Sequence, residues 1–412
     1  MRIRFLGALG ALGLAALALG PVALSMSGEA RADAGFQRWV RDFRSTALSN
    51  GVSGATYDRA FAGVTEPDAS VLRAASHQPE FTRAIWDYLD SAVSDTRLTN
   101  GRRMLERYRG VLDVIEARYG VDRHIVVAIW GMESSYGAVL DNHDIVKPVI
   151  RSLATLAYGD SRRARFGREQ LLAALRILER GHTTPDRMTG SWAGAMGHTQ
   201  FIPTTYLSYA ADYEGDGRID IWDNPADALA STAHYLARSG WVTGHTWGYE
   251  VEIPAGFDWR LADESTERSL AEWQRIGLRR TGGRTFPRPE DTAKLIAPAG
   301  SGGPVFLMLR NFDVIKRYNN ATSYALAVGH LADRLAGYPA FASSWPRSSR
   351  PLSRSDTEEL QRLLTRRGYD TGGADGRIGP NTRRAIRSYQ AAAGLTPDGY
   401  ADSRLLSRLR GG

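Results

Sequence analysis

Ile125-Val126-Val127-Ala128-Ile129-Trp130-Gly131-Met132-Glu133-Ser134-Ser135-Tyr136-Gly137 is the stretch around which the chain is organised. An apolar run ends abruptly in one carboxylate, and two hydroxyl residues, a tyrosine and a glycine follow it. Asp122, just upstream, has the side chain of a helix N-cap. A carboxyl held against Trp130, Ile129 and Met132 is predicted to be poorly solvated. Desolvation disfavours the charged form and raises the pKa, as a general acid working near neutral pH requires. An exposed glutamate at a helix end is the competing reading, and these local residues alone do not separate the two.

The chain has 412 residues, enough for two or three domains and a sizeable core. Its formal net charge is +7, and nearly all the positive side is arginine; only Lys147, Lys294 and Lys316 are lysines. A basic balance suits an anionic partner such as nucleic acid, a membrane surface or an acidic wall polymer. Without a basic block interleaved with aromatics, nucleic acid is not expected. There is no cysteine, which removes disulfides, thiol nucleophiles and thiolate metal sites. Arg2 and Arg4 precede an apolar run over 5–24, and Ala30-Arg31-Ala32 offers a small-x-small cleavage site. Residues 1–32 therefore read as a secretory signal peptide, with no stable membrane anchor once it is cleaved. An uncleaved anchor is the rival, since the run approaches spanning length. A lipid anchor is excluded for want of a cysteine.

Residues 34–118 carry helical spacing. Phe36, Trp39, Val40 and Phe43 share one face. Helices are predicted near 56–62, around Phe81, Ile85, Trp86 and Leu89, and as one long element over 100–119. Others are expected over 149–157, 168–180, 228–236, 269–276 and 323–335. Strands are expected over 249–253, 294–298 and 305–309, the last two joined by a glycine-rich turn. Residues 341–351 are rich in serine and proline without periodicity and read as a linker. Residues 352–410 form a small helical unit in which a leucine helix, a glycine turn and an Asp-Gly pair recur.

Two loops carry chemistry. In Gly190-Ser191-Trp192-Ala193-Gly194-Ala195-Met196-Gly197-His198-Thr199-Gln200-Phe201-Ile202-Pro203, small residues allow close approach of a ligand to the backbone. Gln200 and Trp192 suit a sugar, with an amide and an aromatic face. In the loop 212–223, oxygen side chains fall at positions one, three, five, nine and twelve, with glycine at six, as in an EF-hand. Asp212, Glu214, Asp216, Arg218 and Asp223 are the predicted cation ligands, with an Asx-rich turn that holds no metal as the alternative reading. Aspartate at position twelve is shorter than the usual glutamate. Arg162-Arg163 is a basic pair on a short loop.

Glu133-Ser134-Ser135-Tyr136-Gly137, the Trp192–Pro203 motif, and Arg317-Tyr318-Asn319 ahead of Tyr324-Ala325-x-Ala327-Val328-Gly329 together resemble the lytic murein transglycosylase B family. The resemblance spans roughly residues 36–335. The tail resembles a three-helix peptidoglycan-binding domain through Leu360-Gln361, Asp375-Gly376…Gly379…Thr382 and Tyr389-Gln390. The resemblance implies a mainly α fold: a lysozyme-like helical catalytic domain over 33–340 with a small β-sheet, and a three-helix domain over 352–410. It implies cleavage of the β-1,4 bond between N-acetylmuramic acid and N-acetylglucosamine in peptidoglycan strands, leaving 1,6-anhydro ends. Glu133 would be the catalytic acid and then base. Ser134, Tyr136, Ser191, Gln200, Tyr318, Asn319 and Tyr324 would line the sugar groove, with Arg162 and Arg163 near the anionic groups of the substrate. The chemistry would need no cofactor, and a structural calcium ion is the one addition expected. A soluble periplasmic monomer is implied.

Two rivals stay open here. A hydrolytic muramidase would need a water-positioning carboxylate, for which Asp141 and Asp144 are candidates. A non-catalytic wall-binding protein would need only the C-terminal unit.

Overall fold

The apolar run 125–130 needs a surrounding shell, and the chain builds one from helices. In a computed structural model, residues 33–76, 83–142 and 144–411 are described; the predicted signal peptide and Phe81 lie outside them. Seventeen helices among the described residues make the protein mainly α, as expected. The chain packs as two units, Met1–His77 with Asn100–Arg238, and Gln78–Thr99 with Ser239–Gly412.

The first unit opens with α1 (Ala34–Ser49), α2 (Gly54–Ala60) and α3 (Ala69–Ser76). Phe36 and Phe43 of α1 are buried, as their spacing predicts. α4 (Ile85–Ala92) belongs to the second unit. Where one long helix is expected over 100–119, α5 (Asp95–Arg107) and α6 (Arg109–Tyr119) meet at Tyr108. Tyr108 leaves helical geometry at φ −106°, ψ 21°, and its ring stands edge-on to Trp130 at 5.4 Å. Aromatic packing overrides the helical spacing there.

α7 (Arg123–Ser134) starts where Asp122 Oδ1 accepts the His124 amide at 2.7 Å. Every residue from Ile125 to Gly131 is buried, and Trp130 is 1% exposed. Each large side chain so removed from water contributes about 1.5–3 kcal/mol. α8 (Val149–Gly159), α9 (Ala164–Glu179), α10 (Pro203–Tyr209) and α11 (Pro225–Arg238) complete the shell, with a two-stranded ladder of β1 (Lys147–Pro148) and β2 (Thr189–Gly190).

The second unit holds an antiparallel sheet of β3 (Gly248–Glu252), β4 (Glu267–Ser269), β5 (Arg279–Arg280), β6 (Thr292–Ile296) and β7 (Val305–Met308). Its order is β4-β6-β7-β3-β5. Leu295, Leu307 and Val251 pack with Trp273 of α12 (Leu270–Ile276). α13 (Arg310–Tyr318) and α14 (Thr322–Leu335) follow. Leu360, Leu364, Ile386, Leu406 and Leu409 form the core of the C-terminal bundle of α15 (Arg354–Arg366), α16 (Pro380–Ala392) and α17 (Ser403–Gly411).

The recurrence read in the tail has a structural meaning. Gln361 Nε2 donates to Asp375 Oδ1 at 3.0 Å while its Oε1 accepts the Gly376 amide at 2.9 Å. Gln390 repeats this with Asp398 and Gly399, at 2.8 Å each. The second copy is also engaged from outside, where Ser301 donates N–H and Oγ–H to Asp398 Oδ2 at 2.9 and 2.8 Å. Arg387, 9% exposed, donates to Asp263 Oδ2 and the Ala262 carbonyl. The segment read as a linker is fastened along its length: Glu250 accepts the Ala342 and Ser343 amides, and Arg347 pairs with Asp90.

Candidate active site

Glu133 sits in the last turn of α7, half-buried behind fully buried Ile129 and Trp130. Three residues past the acid turn left-handed in succession: Ser135 at φ 51°, Tyr136 at φ 62° and Gly137 at φ 88°. Only the glycine adopts this without strain. Non-glycine residues held there cost on the order of 1–3 kcal/mol each and persist where the surroundings over-determine them. The surroundings here are aromatic. Trp130 meets Tyr136 edge-on at 5.7 Å and His198 at 5.5 Å. Tyr136 lies so close over Gly131 that a Cβ there would stand 2.6 Å from its ring.

The glycine loop comes to the same place. Trp130 Nε1 donates to His198 Nδ1 at 3.1 Å, and Ser134 Oγ donates to the His198 carbonyl at 2.6 Å. Burial pushes the His198 pKa down to about 4, so the ring is neutral at ordinary pH. Met196 bridges back to Gly190 and to Phe201, closing the loop on itself. Gln200 is the third non-glycine residue with positive φ, 53°, and its Nε2 donates to the Gly197 carbonyl at 2.9 Å. All three such residues among those described thus lie on these two segments, a concentration typical of functional sites.

Arg163 and Arg162 flank Asp160. Arg163 Nη1 reaches Asp160 Oδ2 and the Ala75 carbonyl at 2.8 Å each, and its guanidinium lies 5.7 Å from the Trp192 ring centre. Burial raises the Asp160 pKa, but Arg163 and backbone amides outweigh it and hold the carboxyl below its usual range. Arg162 remains the more exposed of the pair.

In the acidic loop, oxygens of Asp212, Glu214 and Asp227 lie within 4.8 Å of one another. Three carboxylates with oxygens converging this way are the donor set of a hard cation such as calcium. Asp227 is 1% exposed and accepts the Tyr213 and Asp220 amides at 2.7 Å each. Burial, with Glu214 nearby, pushes its pKa up to about 6. A cation bound there would favour its charged form.

A family model described as transglycosylase SLT domain matches residues 35–333, and one described as putative peptidoglycan binding domain matches residues 353–409. The chain belongs to the transglycosylase SLT family. The membrane-bound lytic murein transglycosylase B of Escherichia coli K12 is 32% identical over 281 residues, covering 65% of this chain and 74% of that one. SltB3 from Pseudomonas aeruginosa, solved in complex with NAG-anhNAM-pentapeptide, is 50% identical with a TM-score of 0.88, covering 92% of this chain and all of that one. The Escherichia coli lytic transglycosylase Slt35, solved in complex with calcium, is 28% identical with a TM-score of 0.59, covering 74% and 94%. The protein is thus a peptidoglycan lytic transglycosylase.

Within this lytic transglycosylase three of the expected site residues have structural partners. Ser134 is 1% exposed; its Oγ donates to His198 and accepts the Gly137 amide at 2.9 Å, so it braces the helix end instead of facing a groove. Ser191 is 7% exposed, and its Oγ accepts the Ala193 and Ala195 amides, so it shapes the glycine loop. Asp223 pairs with Arg187 and stands outside the acidic cluster, where Asp227 takes its place. Asp216 accepts the Arg218 amide, and the Arg218 guanidinium pairs with Asp220. Asp141 and Asp144 are exposed turn residues.

Tyr318, Asn319 and Tyr324 belong to the second unit. Tyr318 ends α13, the Asn319 backbone amide caps it by donating to the Ile315 carbonyl while Asn319 Oδ1 accepts the Ala321 amide, and Tyr324 is buried in the first turn of α14. His198 and Asp227 escaped the sequence reading. The histidine sits inside a motif read for its glycines and Gln200, and Asp227 follows a proline beyond the twelve-residue loop.

Proposed function

We propose that Glu133 is the acid and base of the transglycosylase reaction, acting without a second carboxylate. The glutamate donates its proton to the glycosidic oxygen as the bond to the anomeric carbon breaks. The C6 hydroxyl oxygen of the same muramic residue attacks that carbon, and the Glu133 carboxylate takes the hydroxyl proton. The nucleophile is held by the substrate's own ring, so effective molarity replaces an activated water. The observation that supports this is the placement of one half-buried carboxyl at the end of a buried helix, beside a strained segment and followed by two serines. The solved complex of SltB3 with an anhydro-muramyl product agrees with this chemistry for that relative.

Tyr136 and Gln200, both half-buried, are substrate contacts, with Arg162 toward the anionic groups of the substrate. Tyr318, Asn319 and Tyr324 are further substrate-binding residues by their match to the family motif, Tyr324 being buried in the first turn of α14. Asp212, Glu214 and Asp227 hold a calcium ion that stabilises the fold and takes no part in proton transfer, with Slt35 as the relative solved with calcium. Residues 1–32 direct the chain to the periplasm, where peptidoglycan is the substrate. No helix among the described residues is long and apolar enough to cross a membrane.

Digestion of purified sacculi followed by mass analysis tests the reading. Muropeptides from the parent enzyme end in anhydro-muramic residues, one water lighter than reducing ends. Glu133→Gln lowers turnover by about 10²–10⁴-fold, the usual share of a general acid. A Glu133→Gln protein that clears sacculi at the parental rate sinks the assignment.

A further inference from the structure

We propose that His198 is a positioning residue that fixes where the Glu133 carboxyl points, by pinning both sides of the acid to the glycine loop. This rests on the assignment of Glu133 as the acid. The histidine reaches positions 130, 134 and 137. On the near side, Trp130 Nε1 donates to His198 Nδ1 at 3.1 Å, which makes Nδ1 the acceptor and leaves the proton on Nε2. One turn later, Ser134 Oγ donates to the carbonyl of the same residue at 2.6 Å. Beyond the helix, the imidazole fills the space over Gly137, where a Cβ would lie 2.4 Å from Cε1 and 2.6 Å from Nδ1. The His198 amide in turn donates to the Ile221 carbonyl at 2.9 Å, which anchors the residue to the acidic loop.

Glu133 therefore lies between two positions that one residue holds, and the left-handed turn after it ends at Gly137, beneath the same ring. Ser135 and Tyr136 have no intrinsic reason to remain left-handed. The contact over Gly137 and the Ser134 tether supply the restraint. A donor-to-glycosidic-oxygen geometry is sensitive to such restraint, since a displacement of about 1 Å can cost about 10²-fold in rate. None of these groups is itself assigned as a substrate contact, so the loss falls mainly on kcat, with only a small change in KM through Tyr136.

The test uses the full chain and sacculi. His198→Leu keeps the bulk and removes the acceptor, whereas His198→Asn places an oxygen close to where Nδ1 stood. His198→Leu is expected to lower kcat by about 10–100-fold with KM within about twofold. His198→Asn recovers most of that loss. Trp130→Phe removes the donor, and adding His198→Leu to it lowers kcat by less than about threefold more, because the shared bond is already gone. Parental kcat in His198→Leu overturns the proposal, as does equal loss in the Leu and Asn variants or a loss confined to KM. Should His198→Leu fail to fold, Trp130→Phe decides: parental kcat there overturns the proposal as well. An active Glu133→Gln enzyme would instead remove the acid assignment, so the two failures are distinct.

Discussion

Adding one methyl group at Gly131 sets two effects of opposite sign against each other. Gly131 lies inside α7, where alanine is favoured over glycine by about 1 kcal/mol. The new Cβ, however, would stand 2.6 Å from Cζ and Oη of Tyr136 and 2.8 Å from Cε1. Overpacking of this kind costs about 1–3 kcal/mol. Tyr136 has little room to yield, because its backbone is held at φ 62° and its ring stands edge-on to Trp130. The balance is a net destabilisation of about 1 kcal/mol, in a range of about 0–2. For a unit of roughly 200 residues this lowers Tm by about 2–4 °C. Turnover should fall by at least about tenfold, because the left-handed turn that carries the ring directly follows the acid. Removing the ring reverses the sign. In a Tyr136→Ala background the three closest atoms are gone, and Gly131→Ala is expected to raise Tm by about 2–4 °C. Thermal unfolding of the four proteins closes the cycle. A Gly131→Ala single variant more stable than the parent, or a cycle without the reversal, would refute the argument from close approach.

Other consequences can be measured separately. Calcium should raise Tm of the parent and chelation lower it, while Asp227→Asn should show little response to either, because the buried member of the acidic cluster is gone. His330, stacked on Phe341 at 3.7 Å, has its pKa pushed down to about 4 by burial and then by Arg334. A base with a folded pKa below its unfolded 6.5 contributes stability that is present above pH 6.5 and lost as pH falls toward 4, up to about 3 kcal/mol. Denaturant titrations at pH 7 and 4.5 should show this loss, and His330→Phe should reduce it. Arg387→Met removes two charge-assisted bonds to Asp263 and Ala262, which should cost about 2–3 kcal/mol and expose the segment 341–351 to protease.

Much of the fold follows from residues that act locally. Asp122 caps α7 because an aspartate before an apolar run has a free amide to accept, and Ser269 with Glu272 forms a capping box for the same reason. β6 and β7 lie side by side as their glycine-rich connection suggests. The sheet order was hidden, since β4 and β5 have three and two residues and take their pairing from distant neighbours. The break at Tyr108 was hidden too, because it depends on a ring twenty-two positions away.

The site divides in the same way. Glu133 announces itself by ending an apolar run, and Gln200 by its setting among glycines. Ser134 and Ser191 look alike in sequence to groove hydroxyls, and only burial reveals them as braces. Asp227 is read correctly only once the chain has turned back on the acidic loop. The role of His198 lies wholly in side-chain packing from another segment, which periodicity does not encode.

The doubled glutamine lock of the C-terminal bundle bears on how this region can drift. The two copies are built alike but answer to different numbers of partners. Asp375 serves its own turn and Gln361, whereas Asp398 serves its turn, Gln390 and Ser301. A duplicated element in which one copy has acquired a second duty should age unevenly. Saturation mutagenesis read out by protein abundance would find position 375 the more permissive of the pair, and neutral variation would accumulate on that side of the bundle first.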